Sequence, residues 1–335
     1  MLKKNVFNIM SQCLVCQSYN IQEFARGWDF EYLTSLQNYS IRRCQDCGLL
    51  FLSPRPHKED SEKLYNANYY TVNRSSPLFL RGFIYQTKLK NDIRKAAFLI
   101  NRYHCNSVLE IGCGNVLKLV GLRKVFGNRE LRLIGVDIQF SKETQELARS
   151  YNIELYQGDA DFVENNFNLS QIHLVLMSQV LEHLENPVRF LKIIEQLMAP
   201  SAKLLIETPS PSGIDFLLFR RRFWGGFHIP RHFYIFSQLS LVNLLKKNNF
   251  IILKKDFMPS PGFWIMSFRN ALGLNSIRRS DSKWEFLSFH NIFVVMLFTA
   301  IDILCRVFFL PTSNQSILSE TTCRKAVSFT DQNEN

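Results

Sequence analysis

No apolar run in this 335-residue sequence is long enough to cross a bilayer. The longest candidate, Phe286 to Leu310, is broken by His290, Asn291, Asp302 and Arg306. Its uninterrupted part, Ile292 to Ile301, is about half of the roughly 20 residues a spanning helix needs. On a helical wheel Asn291, Thr299, Asp302 and Arg306 share one stripe, so an amphipathic helix is expected there, packed on the core or lying in a membrane interface. The opening residues, MLKKNVFNIMSQC, lack the long apolar core and small-residue cleavage site of a secretory signal. Eight cysteines are too sparse for a disulfide-stapled secreted domain, and a reducing cytoplasm is expected. No fixed-period repeat is present, which excludes a solenoid. An acidic excess is also missing. Lysine and arginine total 40 against 29 aspartates and glutamates, and the net charge of +11 favours anionic partners: phosphates, nucleic acid or a membrane surface. No extended arginine stripe or RNA-binding motif accompanies that charge, which argues against nucleic acid.

What is present is ordinary globular composition, 46% hydrophobic and 21% charged, with 29 phenylalanines that raise the question of lipid contact. The length suits about two domains of roughly 150 residues. Helical spacing of apolar residues predicts a long helix over 80–103. Strands are expected at 107–111, 131–137, 153–157, 172–178, 202–208 and 250–257. Helices are expected at 116–126, 141–151, 187–198 and 237–248. Strands alternating with helices predict a parallel, doubly wound α/β sheet.

Cys13-x2-Cys16 and Cys44-x2-Cys47 form two pairs, 27 residues apart. Each turn lets two thiolates face one point, and two turns supply the four sulfurs of a tetrahedral zinc site. Four sulfur ligands leave no open position, so the expected role is structural. A buried or redox-active set of thiols is the alternative.

The string VLEIGCGN, Val108 to Asn115, is a strand running into a glycine turn and a helix. Gly112 and Gly114 allow a ligand to approach the backbone closely. Asp137 ends the next strand, where an acidic side chain can accept both ribose hydroxyls, and Asp159 follows the third strand, where it could accept from an adenine amino group. A dehydrogenase fingerprint would place a third glycine at position 117, which is Leu117.

This order resembles the class I S-adenosylmethionine-dependent methyltransferases over about Leu80 to the C-terminus. The resemblance implies a Rossmann-like seven-stranded sheet with helices on both faces and one antiparallel strand, the last strand falling near Gln315–Cys323. It implies cofactor contacts at Glu110, Gly112, Cys113, Gly114, Asp137, Ile138, Asp159, Ala160 and Ser178. The segment containing VLEHLENP looks like the fourth strand and crossover of small-molecule and sugar methyltransferases. The paired cysteines, with RRCQDCGLLFLSPRP, look like the zinc-binding leader of bacterial sugar and polysaccharide-biosynthesis methyltransferases. The implied organisation is a zinc module over 1–52, a connector over 53–79, a catalytic domain over 80–325 with a helical insertion at about 260–310, and a polar tail over 326–335. One position departs from the pattern: Val116 stands where many members have a third glycine.

His183, past the fourth strand, is a candidate catalytic base, or a histidine that orders its loop. The string WGGFHIPRHFYIFS holds His228, Arg231 and His232. In the resembled enzymes this segment lies near the active-site mouth, and Arg231 suits a phosphate or carboxylate on the acceptor. Its other role would be local packing. Glu207 ends the fifth strand. The arginines and apolar residues of Leu217 to Phe227 suit an anionic membrane surface, or a helix with one charged and one core face. The leading expectation is an S-adenosylmethionine-dependent methyltransferase of a sugar or polysaccharide precursor; its rivals are an O-methyltransferase of a quinone-like or lipophilic phenol and a degenerate, non-catalytic cofactor-binding scaffold.

Overall fold

The computed structural model describes residues 10–35, 37–56, 64, 80–127, 130–158, 162–163, 171–274, 286–288 and 291–322, without the side chains of 80–84. Asp159, Ala160, Cys323, the polar tail and most of the connector lie outside the described residues.

Seven strands form the main sheet: β4 (Ser107–Ile111), β5 (Arg132–Asp137), β6 (Glu154–Gln157), β7 (Ile172–Ser178), β8 (Met198–Pro209), β10 (Phe250–Met258) and β11 (Asn314–Thr321). Their order is β10-β11-β8-β7-β4-β5-β6, and β11 runs antiparallel to both its neighbours. This is the Rossmann-like methyltransferase sheet that the sequence led us to expect. β4 is buried at all five positions, as a central strand covered on both faces must be. Helices α2 (Leu117–Phe126), α3 (Lys142–Ser150) and α4 (Pro187–Leu197) bridge the parallel steps. Ser141 caps α3 by accepting from the Thr144 amide, and Asn186 caps α4 ahead of Pro187 at its first turn. The chain winds away from β4 in both directions, so β4 and β7 flank the switch point, where open α/β sheets bind ligands beyond their carboxyl ends. The long helix α1 (Leu80–Arg102) packs on α2.

The leader makes a second, antiparallel sheet from β1 (Ile21–Gly27), β2 (Tyr39–Cys44) and β3 (Leu50–Leu52). Its fourth strand, β9 (Tyr234–Ile235), comes from the segment after Arg231 and His232. Strands of two or three residues carry no readable period, so this pairing was invisible in the sequence. One apolar core runs from Cys13, Cys44, Cys47 and Phe51 to Leu109, Val175 and Leu241. Helix α6 (Gln238–Lys247), capped by Ser237, closes that face.

Between α6 and β11 lie α7 (Pro261–Leu272) and α8 (Ile292–Val307). α8 begins later than the apolar stretch suggested, because Asn291 accepts from the amides of Phe293 and Val294 and sets its start. Its polar stripe is partly turned inward. Asp302 is buried and accepts from Trp264 Nε1 at 3.0 Å and the Ser260 amide at 2.7 Å. A largely apolar face is left exposed. No helix of the described residues is long and apolar enough to cross a membrane.

Candidate active site and metal-binding cysteines

The glycine turn follows β4. Gly112 and Gly114 both have positive φ, 69° and 54°. A Cβ on Gly112 would lie 2.4 Å from Val180 Cγ2, so that position needs glycine for space as well as conformation. At Gly114 a Cβ would meet nothing within 4 Å, which leaves open space beside the turn. Asp137, at the end of β5, accepts from the Gly114 amide at 2.8 Å and from the Ile138 amide at 2.8 Å. Burial pushes its carboxyl up while these amides pull it down, and burial prevails. Cys113 is buried and its amide donates to the Val136 carbonyl, whereas the Ile138 side chain is exposed. Val116 adopts φ 56° and ψ 5°, a left-handed conformation unusual for a β-branched residue, and its side chain is fully buried in the core.

A partly buried chain of charges crosses the strand ends. Lys118 Nζ lies 2.6 Å from Glu110 Oε1 and 3.4 Å from Ser178 Oγ. Ser178 Oγ donates to Glu207 Oε2 at 3.1 Å, and Lys95 Nζ, from α1, meets Glu207 Oε1 at 2.7 Å. Burial raises the Glu110 carboxyl, with Lys118 opposing. Burial would lower Lys118, but the Glu110 carboxylate outweighs it and holds the ammonium charged. Burial likewise works against Glu207, and Lys95 nonetheless brings it below the usual carboxylate range. Glu110 and Ser178, which the resemblance implies as cofactor contacts, both lie in this chain of charges. Lys118 and Lys95 were missed, because a lysine in a helix ordinarily reads as a solvated face.

The three candidate histidines converge. The His183 ring centroid is 4.7 Å from that of His232 and 6.2 Å from that of His228, and His228 and His232 are 4.8 Å apart. His183 Nδ1 is 3.1 Å from the Arg231 carbonyl, His232 Nδ1 is 2.9 Å from the Gly226 carbonyl, and His228 Nδ1 is 2.5 Å from Glu31 Oε2. Burial first, then the neighbouring His228 and Arg231, pushes the conjugate acid of His183 down to about 3. His232 is pushed down by burial and by His183. Both rings are therefore uncharged at neutral pH and are weak proton acceptors there.

Arg231 is fully buried. Its guanidinium donates to Asp29 Oδ2 at 3.1 Å, to the Leu64 carbonyl at 2.9 Å and to Thr34 Oγ1 at 3.3 Å, and it stacks over Tyr32 at 4.3 Å. In this structure it clamps the leader to the PRH segment. An acceptor anion would have to compete with Asp29 for it.

Cys13, Cys16, Cys44 and Cys47 place their sulfurs within 4.8 Å of one another, with Cys13–Cys47 at 3.5 Å and Cys16–Cys44 at 3.4 Å. All four are free thiols. A tetrahedral ion with sulfur bonds of about 2.3 Å spaces its ligands about 3.8 Å apart, so the donor set fits zinc. The contact between Cys13 and Cys47 favours one thiolate in the pair: it lowers the Cys13 thiol and raises that of Cys47.

Among solved structures, the chain is similar to a SAM-dependent methyltransferase from Archaeoglobus fulgidus, with 20% identity over 71% of this chain and 99% of that one, at a TM-score of 0.43. It is also similar to the 1,6-didemethyltoxoflavin-N1-methyltransferase of Burkholderia thailandensis, with 12% identity over 87% of this chain and 99% of that one, at a TM-score of 0.47. No curated protein matches the sequence. A family model described as a methyltransferase domain matches residues 49–255, well over half of the chain, beginning just past the second cysteine pair and covering the glycine turn, Asp137 and the histidine cluster. The chain belongs to that methyltransferase family.

Proposed function

We propose that the crevice binds S-adenosylmethionine and directs its methyl group to a small-molecule acceptor, a sugar or polysaccharide precursor. The observation that carries the cofactor assignment is the contact between Asp137 and the Gly114 amide, which sets an acidic strand end against an open glycine turn. When bound, the cofactor supplies an electrophilic methyl group on a sulfonium. The chain's own residues hold it. Asp137 accepts from the ribose hydroxyls. Glu110 and Lys118 offer one charge of each sign, as the ammonium and carboxylate of the methionine moiety require. Asp159 with Ala160 meets the adenine in this reading, and Ile138 and Cys113 line the turn. The four cysteines hold a structural zinc, and the leader helps to shape the acceptor side beside His183, His228 and His232.

Calorimetric titration with S-adenosylmethionine tests this reading, with Asp137→Ala as the comparison. Micromolar binding that collapses in a folded Asp137→Ala protein is the expected result. Absence of binding by folded, zinc-loaded protein overturns it and favours a degenerate scaffold. Transfer of labelled methyl groups into a sugar-nucleotide mixture then tests the acceptor class.

A second reading, a lipid-linked or lipophilic acceptor reached at an anionic bilayer, is favoured by the exposed apolar face of α8. That face carries Phe293 (79% exposed), Met296, Leu297, Ile303, Leu304 and Val307, and Phe308 and Phe309 (97% exposed) follow it. α7 packs against both α8 and α5 (Ile214–Phe219). α5 adds exposed Leu217 and Leu218, and the exposed Arg220, Arg221 and Arg222 follow it to complement anionic lipid.

A further inference from the structure

The methyl-transfer reading leaves Glu182 without a task. Its side chain is fully buried in the turn Leu181–His183. One carboxylate oxygen, Oε2, accepts from Thr208 Oγ1 at 3.0 Å. The other, Oε1, has no hydrogen-bond partner among the described residues. Burying a carboxylate oxygen without a donor or a cation is costly, so this atom must take a proton or a positive partner.

The surroundings supply the other donors. Glu182, His183 and His232 each offer a ligand atom, and these atoms lie within 4.8 Å of one another. A carbonyl only accepts, so His183 Nδ1 and His232 Nδ1 carry the hydrogens that bond Arg231 and Gly226. The lone pair of each ring then belongs to Nε2, and an imidazole held through its other nitrogen is the usual arrangement of a metal ligand. Nearby, Asp29 pairs with Arg231 and Glu31 with His228.

We propose that Glu182, His183 and His232 form a second metal site, for a divalent first-row transition ion such as zinc, separate from the four cysteines. Two imidazole nitrogens and one carboxylate oxygen suit such an ion and leave a coordination position open for water or an acceptor oxygen. Bonds of about 2.1 Å imply donors about 3.4 Å apart, so from a spacing of up to 4.8 Å the cluster would draw in by no more than about 1.4 Å on binding. Val180, two residues before Glu182, packs over Gly112, which places the ion beside the crevice, where it would hold an oxygen-bearing acceptor. The site stands on its donor geometry whether or not the chain transfers methyl groups.

Cobalt(II) titration of the full-length, chelator-stripped protein tests the proposal, since thiolate and nitrogen–oxygen sites differ in absorption. The wild type should bind two equivalents, one with intense thiolate charge-transfer bands and one with only weak visible bands. Glu182→Gln and His232→Asn should each keep the thiolate bands, which report an intact leader, and bind the second ion at least tenfold more weakly. A wild type that takes up one equivalent, with thiolate bands alone, overturns the proposal. So does a Glu182→Gln protein that binds both ions as tightly as the wild type. If either variant loses the thiolate bands, the wild-type stoichiometry and the other variant decide.

Discussion

Asp29 and Arg231, 202 residues apart in sequence and both fully buried, meet at 3.1 Å and join the leader to the PRH segment. Burial alone would raise the Asp29 carboxyl, but the guanidinium holds it below the usual range. Removing one partner strands a buried charge. Arg231→Met should therefore lower stability by about 3–5 kcal/mol in urea unfolding, and Asp29→Asn combined with Arg231→Met should recover part of that loss. If Arg231 instead serves an acceptor anion alone, Arg231→Met leaves the unfolding midpoint where it was.

The four-cysteine cluster makes a separate prediction about the metal. Cys44→Ser should abolish the thiolate charge-transfer bands of cobalt-loaded protein, because Cys44 sits at the end of β2 with its sulfur 3.4 Å from that of Cys16. Hydrogen exchange should then speed up in β1, β2 and β3, whose turn a bound ion would close. Unchanged protection there, in protein freed of metal, would remove zinc from its structural role.

How much could be read in advance follows the period of each element. The buried run at 172–178 and the proline-started helix at 187 carried clear local signals, and the structure places strand and helix within a residue or two of them. Asp137 and the glycine turn were legible because strand, turn and acidic residue recur in order along the chain. The Asp29–Arg231 and Lys95–Glu207 pairs were not. Each joins segments more than 100 residues apart, and nothing local distinguishes a lysine or arginine held in such a pair from a solvated one. The short strand β9 was hidden for the same reason, since its pairing with β3 is a property of the folded chain.

Stability should depend on pH through Asp215. Burial raises its carboxyl to about 6 from the ordinary 3.8, despite hydrogen bonds from Ser313 Oγ and Trp224 Nε1. The folded state therefore binds the proton more tightly than the unfolded state does. The stabilising effect is complete below about pH 4 and is lost as pH rises through about 6. Relative to Asp215→Asn, the wild type should lose up to about 3 kcal/mol across that window. Parallel stability curves for the two proteins between pH 4 and 7 would show that Asp215 does not titrate in this way.

Val116 sets two effects of similar size against each other. Its left-handed backbone costs about 1–2 kcal/mol relative to glycine. Its fully buried side chain contributes about 1.5–3 kcal/mol by leaving water. Val116→Gly should therefore change stability by only about 1 kcal/mol, toward destabilisation, by thermal or urea unfolding. The backbone of the turn is already in the glycine conformation, so cofactor affinity should stay within about threefold of wild type. A large gain in affinity on substitution would mean that the valine side chain obstructs the crevice.

The exposed face of α8 makes the membrane reading testable apart from catalysis. Asp302 and Phe298 hold the inner side of the helix against α7, through Trp264, so the outer residues can be changed without touching that contact. Phe309, 97% exposed, has almost no packing to lose. Phe309→Glu should leave the melting temperature unchanged, since surface substitutions usually fall within about 0.5 kcal/mol. The same change would put a charge where a bilayer interface requires an apolar ring, and would repel anionic lipid. Wild-type protein should float with vesicles rich in phosphatidylserine at low salt and less so at high salt, while Phe309→Glu stays at the bottom. Flotation equal for the two proteins would assign any lipid binding to the arginines alone, and wild-type protein that never floats would exclude the bilayer as the partner of this face.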